Sequence, residues 1–68
     1  MAERLANRLK EVRGAAGLTQ AELAERTAVS RKTINTVENG IFVPSTMLAL
    51  KLAAALDQPV ETLFWLED

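Results

Sequence analysis

The sequence predicts an all-α fold, a compact five-helix domain whose second and third helices form a helix-turn-helix. Three observations carry this. Apolar residues recur at helical spacing along the whole chain. Serine or threonine stands where helices should begin, at Thr19, Ser30 and Ser45. Between them, the stretch QAELAERTAVSRKTINTVEN from Gln20 to Asn39 spaces Leu23, Ala24, Val29, Ile34 and Val37 as two short helices sharing one buried face would require. The break between those two helices is about three residues, the length of a helix-turn-helix turn.

Leu5, Leu9, Val12 and Ala16 define a first amphipathic helix from about Ala2 to Ala16, weakened in its last turn by Gly14 and stopped by Gly17. Arg4, Arg8 and Lys10 lie off its apolar stripe, on a solvated face. Thr19 followed by Glu22 is a capping box, so a second helix starts near Gln20 and ends near Thr27. Ala28 falls in the turn, where a positive φ costs a non-glycine residue roughly 1–2 kcal/mol; the turn is therefore either reshaped or strained. Ser30 caps a third helix running to about Glu38 and closed by Asn39-Gly40.

Ser45 caps a fourth helix extending to about Leu56. Leu48, Leu52 and Leu56 form its buried stripe, while Met47, Leu50 and Ala54 fall on another side, as expected of a helix with a partner. Pro59 opens a last short helix carrying Val60, Leu63 and Phe64 and extending toward Trp65-Leu66.

Sixty-eight residues allow one domain, spanning 1–68, with a small core. With no cysteine and no histidine, neither a disulfide nor a zinc site can staple it, which leaves oligomerisation. No apolar run approaches the roughly 18 residues of a membrane span, and charged residues interrupt Met1 to Lys10. A soluble, cytoplasmic protein without membrane contact is expected. Enzymatic chemistry finds no nucleophile–base pair and no glycine-rich phosphate loop, so no catalysis, cofactor, metal or small-molecule ligand is expected. Net charge is −1, but it is divided: residues 1–32 hold seven basic and four acidic groups, residues 33–68 one basic and five acidic. The positive half contains the start of the third helix.

At 100° per residue, Ile34 and Val37 of that helix point inward, whereas Lys32, Thr36 and Asn39 point outward with Asn35 beside them. Arg31 sits in the first turn. Such a face suits a major groove, where arginine or lysine donates to guanine, asparagine pairs with adenine and threonine offers a methyl to thymine.

On the residues from Thr19 to Gly40, the chain resembles short helix-turn-helix transcriptional regulators of the phage repressor and Cro type. The resemblance implies a repressor-type domain in which Gln20 bonds a phosphate, Arg31, Lys32 and Thr36 face base edges, Thr33 and Asn35 lie at the margin, and Asn39 meets the DNA backbone. It also implies a structural ion pair between Glu38 and Arg13, near the end of the first helix. Relatives commonly carry glycine where Ala28 stands and a cation where Ile41 stands. Exposed Met47, Leu50, Phe64, Trp65 and Leu66, with Phe42 nearby, supply a candidate dimer interface; the alternative for Trp65 is that it folds back over its own core. The expected function is sequence-specific binding of a near-palindromic duplex DNA operator by a homodimer, as a repressor. The first alternative is an antitoxin-like or phage-type adaptor acting mainly through its C-terminal apolar face, and the second is a purely structural helical module.

Overall fold

The computed structural model describes residues 3–68. It contains five helices, α1 (Leu9–Ala15), α2 (Gln20–Thr27), α3 (Arg31–Glu38), α4 (Thr46–Leu56) and α5 (Val60–Leu63), framed by two strands, β1 (Arg4–Asn7) and β2 (Phe64–Glu67). The five helices are those the sequence predicts. The strands are not, and the fold is mostly helical rather than strictly all-α.

Three helix starts follow from local chemistry. Oγ1 of Thr19 accepts from the Glu22 amide at 3.0 Å and the Glu22 carboxylate accepts from the Thr19 amide at 2.9 Å, completing the capping box. Ser30 and Ser45 accept in the same way from Thr33 and Leu48, each at 3.1 Å. Ala28 caps the end of α2 at φ 57°, ψ 40°, in the left-handed region. The turn is thus strained rather than reshaped. Asp57 ends α4 in the same conformation, at φ 53°.

The core is one cluster: Leu9, Leu23, Ala24, Ile34, Val37, Leu48, Leu52, Ala53, Leu56, Leu63 and Phe64. α4 packs against α2 on one side and α5 on the other. Its stripe of Leu48, Leu52 and Leu56 is buried, and Met47 and Leu50 are exposed, as the spacing predicts. Thr27 is the one polar residue buried as a whole among the described residues, and it donates from Oγ1 to the Leu23 carbonyl at 2.8 Å.

Two expectations are corrected at the chain ends. The first helix begins at Leu9, and residues 4–7 form β1; the expected start at Ala2 lies outside the described residues. The last helix stops at Leu63, and Phe64 to Glu67 form β2, paired antiparallel with β1 so that Leu5 faces Leu66 and Asn7 faces Phe64. Helix-favouring residues in β1 are overruled by this long-range pairing. Asn7 also breaks the helix from within, since its Oδ1 accepts from the Leu9 amide at 3.0 Å.

Candidate nucleic-acid interface

α3 presents its inner face, Ile34 and Val37, to the core. Arg31, Lys32, Asn35 and Asn39 are exposed on the other side, and Thr33 and Thr36 are half-buried. Arg31 and Lys32 form no hydrogen bond or ion pair among the described residues, which leaves both cations available to a ligand. Asn39 donates to the Asn35 carbonyl at 2.9 Å and to the Asn35 side-chain oxygen at 3.3 Å, so the two amides are held together at the end of the helix. The threonine hydroxyls are engaged within α3: Thr36 donates to the Thr33 carbonyl at 2.9 Å, and Thr33 shares a 2.9 Å hydrogen bond with Ser30. Thr36 therefore offers its methyl rather than its hydroxyl, while Thr33 turns toward Phe42 and Met47 on the α4 side.

The helix is held by Glu38. Its carboxylate side chain is 2% exposed and accepts from Arg13 Nε at 2.6 Å and Arg13 Nη2 at 3.2 Å. A third hydrogen bond comes from Gln20 Nε2 at 3.0 Å. Arg13 Nη1 donates in turn to the Leu18 carbonyl at 2.9 Å. One buried carboxylate thereby joins the end of α1, the loop after it, the start of α2 and the end of α3. Hydrogen bonding to Glu38 raises the Arg13 guanidinium above its ordinary value against the opposing effect of burial, so Arg13 stays charged throughout the physiological range. The structure thus brings Arg13 and Glu38 together. It gives Gln20 a further protein partner, leaving its second amide hydrogen as the one a phosphate could accept.

Asn7 is a positioning residue that no sequence pattern marks. Its Nδ2 donates to the Val37 carbonyl at 3.1 Å, so β1 steadies the last turn of α3 while the same side chain starts α1. No local pattern signals a contact thirty residues away.

The residues expected at a dimer interface are dispersed. Phe64 is 8% exposed and belongs to the core, a correction that follows from strand alternation: β2 sends Phe64 inward and Trp65 outward. Trp65 is half-buried under the Arg8 guanidinium, whose central carbon lies 4.6 Å from the ring centroid, and its indole donates to Glu67 at 3.3 Å. Glu67 also pairs with Arg4 at 2.8 Å. Arg4 and Arg8, expected to be simply solvated, hold the outer face of the terminal sheet. Met47, Leu50 and Leu66 are exposed, and so are Ile41, Phe42 and Val43 of the loop after α3.

A family model described as a helix-turn-helix domain matches residues 4–65, nearly the whole chain. The chain belongs to the helix-turn-helix family of transcriptional regulators. It is 42% identical over 62 residues to YgzD, an HTH-type transcriptional regulator of Bacillus subtilis, covering 91% of this chain and 94% of YgzD. Among solved structures it is similar to the restriction-modification controller protein C.AhdI of Aeromonas hydrophila, with a TM-score of 0.77 and 40% identity over 81% of this chain and 83% of that one. It is also similar to the clp gene regulator ClgR of Corynebacterium glutamicum, with a TM-score of 0.75 and 32% identity, covering 78% of this chain and 56% of ClgR. The regulator is accordingly a DNA-binding protein and not an enzyme. No helix of its described residues is long and apolar enough to cross a membrane.

Proposed function

We propose that this regulator is a single-domain repressor that binds a near-palindromic duplex operator as a homodimer in the cytoplasm. The observation that carries the reading is the pair of unpartnered cations, Arg31 and Lys32, at the start of an exposed polar helix whose other end is clamped by Glu38. A recognition helix must be rigid before it can discriminate, because misplaced donors read no base. In this reading Arg31, Lys32 and Asn35 meet base edges, Thr36 lends its methyl group, and Thr33 lies at the margin. Gln20 and Asn39 bond phosphates. The likeness to C.AhdI, a restriction-modification controller protein, supports a regulatory role.

Selection of bound sequences from a random duplex pool tests the whole reading. The expected outcome is a two-fold symmetric site with half-site centres about 34 Å apart, one DNA turn. Recovery of an asymmetric site, or of none, would overturn it. Arg31→Ala and Lys32→Ala should each cost about 1–3 kcal/mol in binding and relax the preference at one base position. Equal weakening on every sequence would instead assign that residue to a phosphate.

A further inference from the structure

We propose, resting on the DNA-binding reading above, that Asn39 is a positioning residue whose side-chain amide turns the hydrogens of Asn35 toward the groove, so that Asn35 reads guanine rather than adenine. Asn39 then gives up the phosphate contact assigned to it in that reading.

The two amides fix each other's direction through a chain of donors and acceptors. The main-chain carbonyl of Asn35 can only accept. It takes the Asn39 backbone N–H at 3.1 Å and the Asn39 Nδ2 at 2.9 Å. Asn39 must therefore point its nitrogen, and not its oxygen, back along the helix. The same nitrogen lies 3.3 Å from Oδ1 of Asn35. Were the Asn35 amide reversed, two NH2 groups would face each other with no acceptor between them, so the oxygen of Asn35 turns to Asn39 and its nitrogen turns away. That nitrogen has no protein partner among the described residues, and Asn35 is exposed on the outward face of α3.

Two consequences follow for DNA. An amide nitrogen carries two hydrogens, and those of Asn39 both go to Asn35, one to its carbonyl and one to its side-chain oxygen. The Asn39 main-chain N–H goes to the same carbonyl. A phosphate oxygen only accepts, so Asn39 would have to break this pair to bind one. Asn35 is the second case. An asparagine that pairs with adenine uses both ends of its amide, donating to N7 and accepting from N6. With its oxygen held along the helix, Asn35 presents hydrogens alone. Guanine offers two adjacent acceptors, N7 and O6, whereas adenine sets its own N6 hydrogens beside N7 and thymine offers a single acceptor beside a methyl group. Guanine is the match. Thr36 does not compete for the Asn35 amide, because its hydroxyl is committed to the Thr33 carbonyl at 2.9 Å.

Selection from a random duplex pool with the wild type, Asn35→Ala and Asn39→Ala, each followed by binding across a salt series, tests this. Both side chains are exposed, and thermal melts check that the variants fold. Asn35→Ala identifies the base pair that Asn35 faces, as the one whose preference it erases. The expected result is a G·C pair at that position of the wild-type site, favoured over A·T by about tenfold. Asn39→Ala should lower that ratio severalfold at the same position, because the freed amide can turn its oxygen to adenine, and should leave the other positions and the salt slope as in the wild type. An A·T pair at that position overturns the proposal. So does an Asn39→Ala protein that binds every sequence equally more weakly with a salt slope smaller by about one phosphate, since Asn39 is then a phosphate contact. If Asn35→Ala erases no preference while Arg31→Ala or Lys32→Ala does, the proposal fails and the DNA-binding reading survives; a wild type with no sequence preference overturns both.

Discussion

A single carboxylate decides the orientation of α3. Glu38 combines near-complete side-chain burial with three donors, so its removal leaves Arg13 with only the Leu18 carbonyl as acceptor and no countercharge, and the Gln20 amide without the carboxylate it bonds. Glu38→Ala is expected to lower the unfolding free energy by about 3–5 kcal/mol in urea titrations. The double variant Arg13→Met with Glu38→Leu should lose less, because no unpaired charge remains buried; a loss below about 1 kcal/mol for the single variant would class the pair with surface salt bridges. Ala28 is strained at φ 57°. Ala28→Gly is expected to stabilise by about 1 kcal/mol, the relief of left-handed strain exceeding the entropy that glycine adds to the unfolded chain. For a chain of this size that is a rise in Tm of roughly 4–8 °C, and an unchanged or lower Tm would refute it.

Among the elements, α2 owes its start to its capping box, and that cap titrates. Glu22 is held below the ordinary glutamate value of 4.5, first by the Thr19 backbone N–H and then by the Thr19 side chain. A carboxylate whose value is lowered on folding stabilises the fold above its ordinary value and loses that contribution as pH falls through the folded one. Thermal melts below pH 4.5 should therefore fall more steeply for the wild type than for Glu22→Gln, and parallel curves would show that the cap contributes nothing. Glu67 is lowered too, by Arg4 and then Trp65, so Glu67→Gln should remove a second part of the same acid-side slope. β1 and α3 are tied by Asn7. Asn7→Ala strands the Leu9 amide and removes one of the two donors to the Val37 carbonyl, and should cost about 1–3 kcal/mol in chemical unfolding. These elements differ in how far they could be read beforehand. α2, α3 and α4 announce themselves by caps and apolar periodicity within a dozen residues, whereas Asn7 acquires its role from a carbonyl thirty positions away.

Over the whole molecule, the division of charge matters more than the total of −1. Arg31 and Lys32 belong to the basic half, and the acidic surplus lies in residues 33–68, so the field should orient the recognition helix toward a polyanion. Few cations on the proposed face mean few displaced counterions. Fluorescence anisotropy across a salt series should give a shallow slope, on the order of two to four phosphates per subunit. A slope of zero would indicate that DNA is not bound through charge at all.

Residue order alone determined that there are five helices, the caps that start α2, α3 and α4, the inward set of Leu23, Ala24, Ile34 and Val37, and the cations leading α3, because capping and helical periodicity are short-range and are written in neighbouring side chains. The tertiary structure alone decided that the two ends of the chain leave the helix to pair as β1 and β2, that Phe64 turns into the core while Trp65 lies under Arg8, and that Gln20 joins Arg13 on Glu38. Each of these joins residues far apart in sequence. Local propensity at either partner carries no trace of the other, and the free energy of pairing appears only once the core has brought them together.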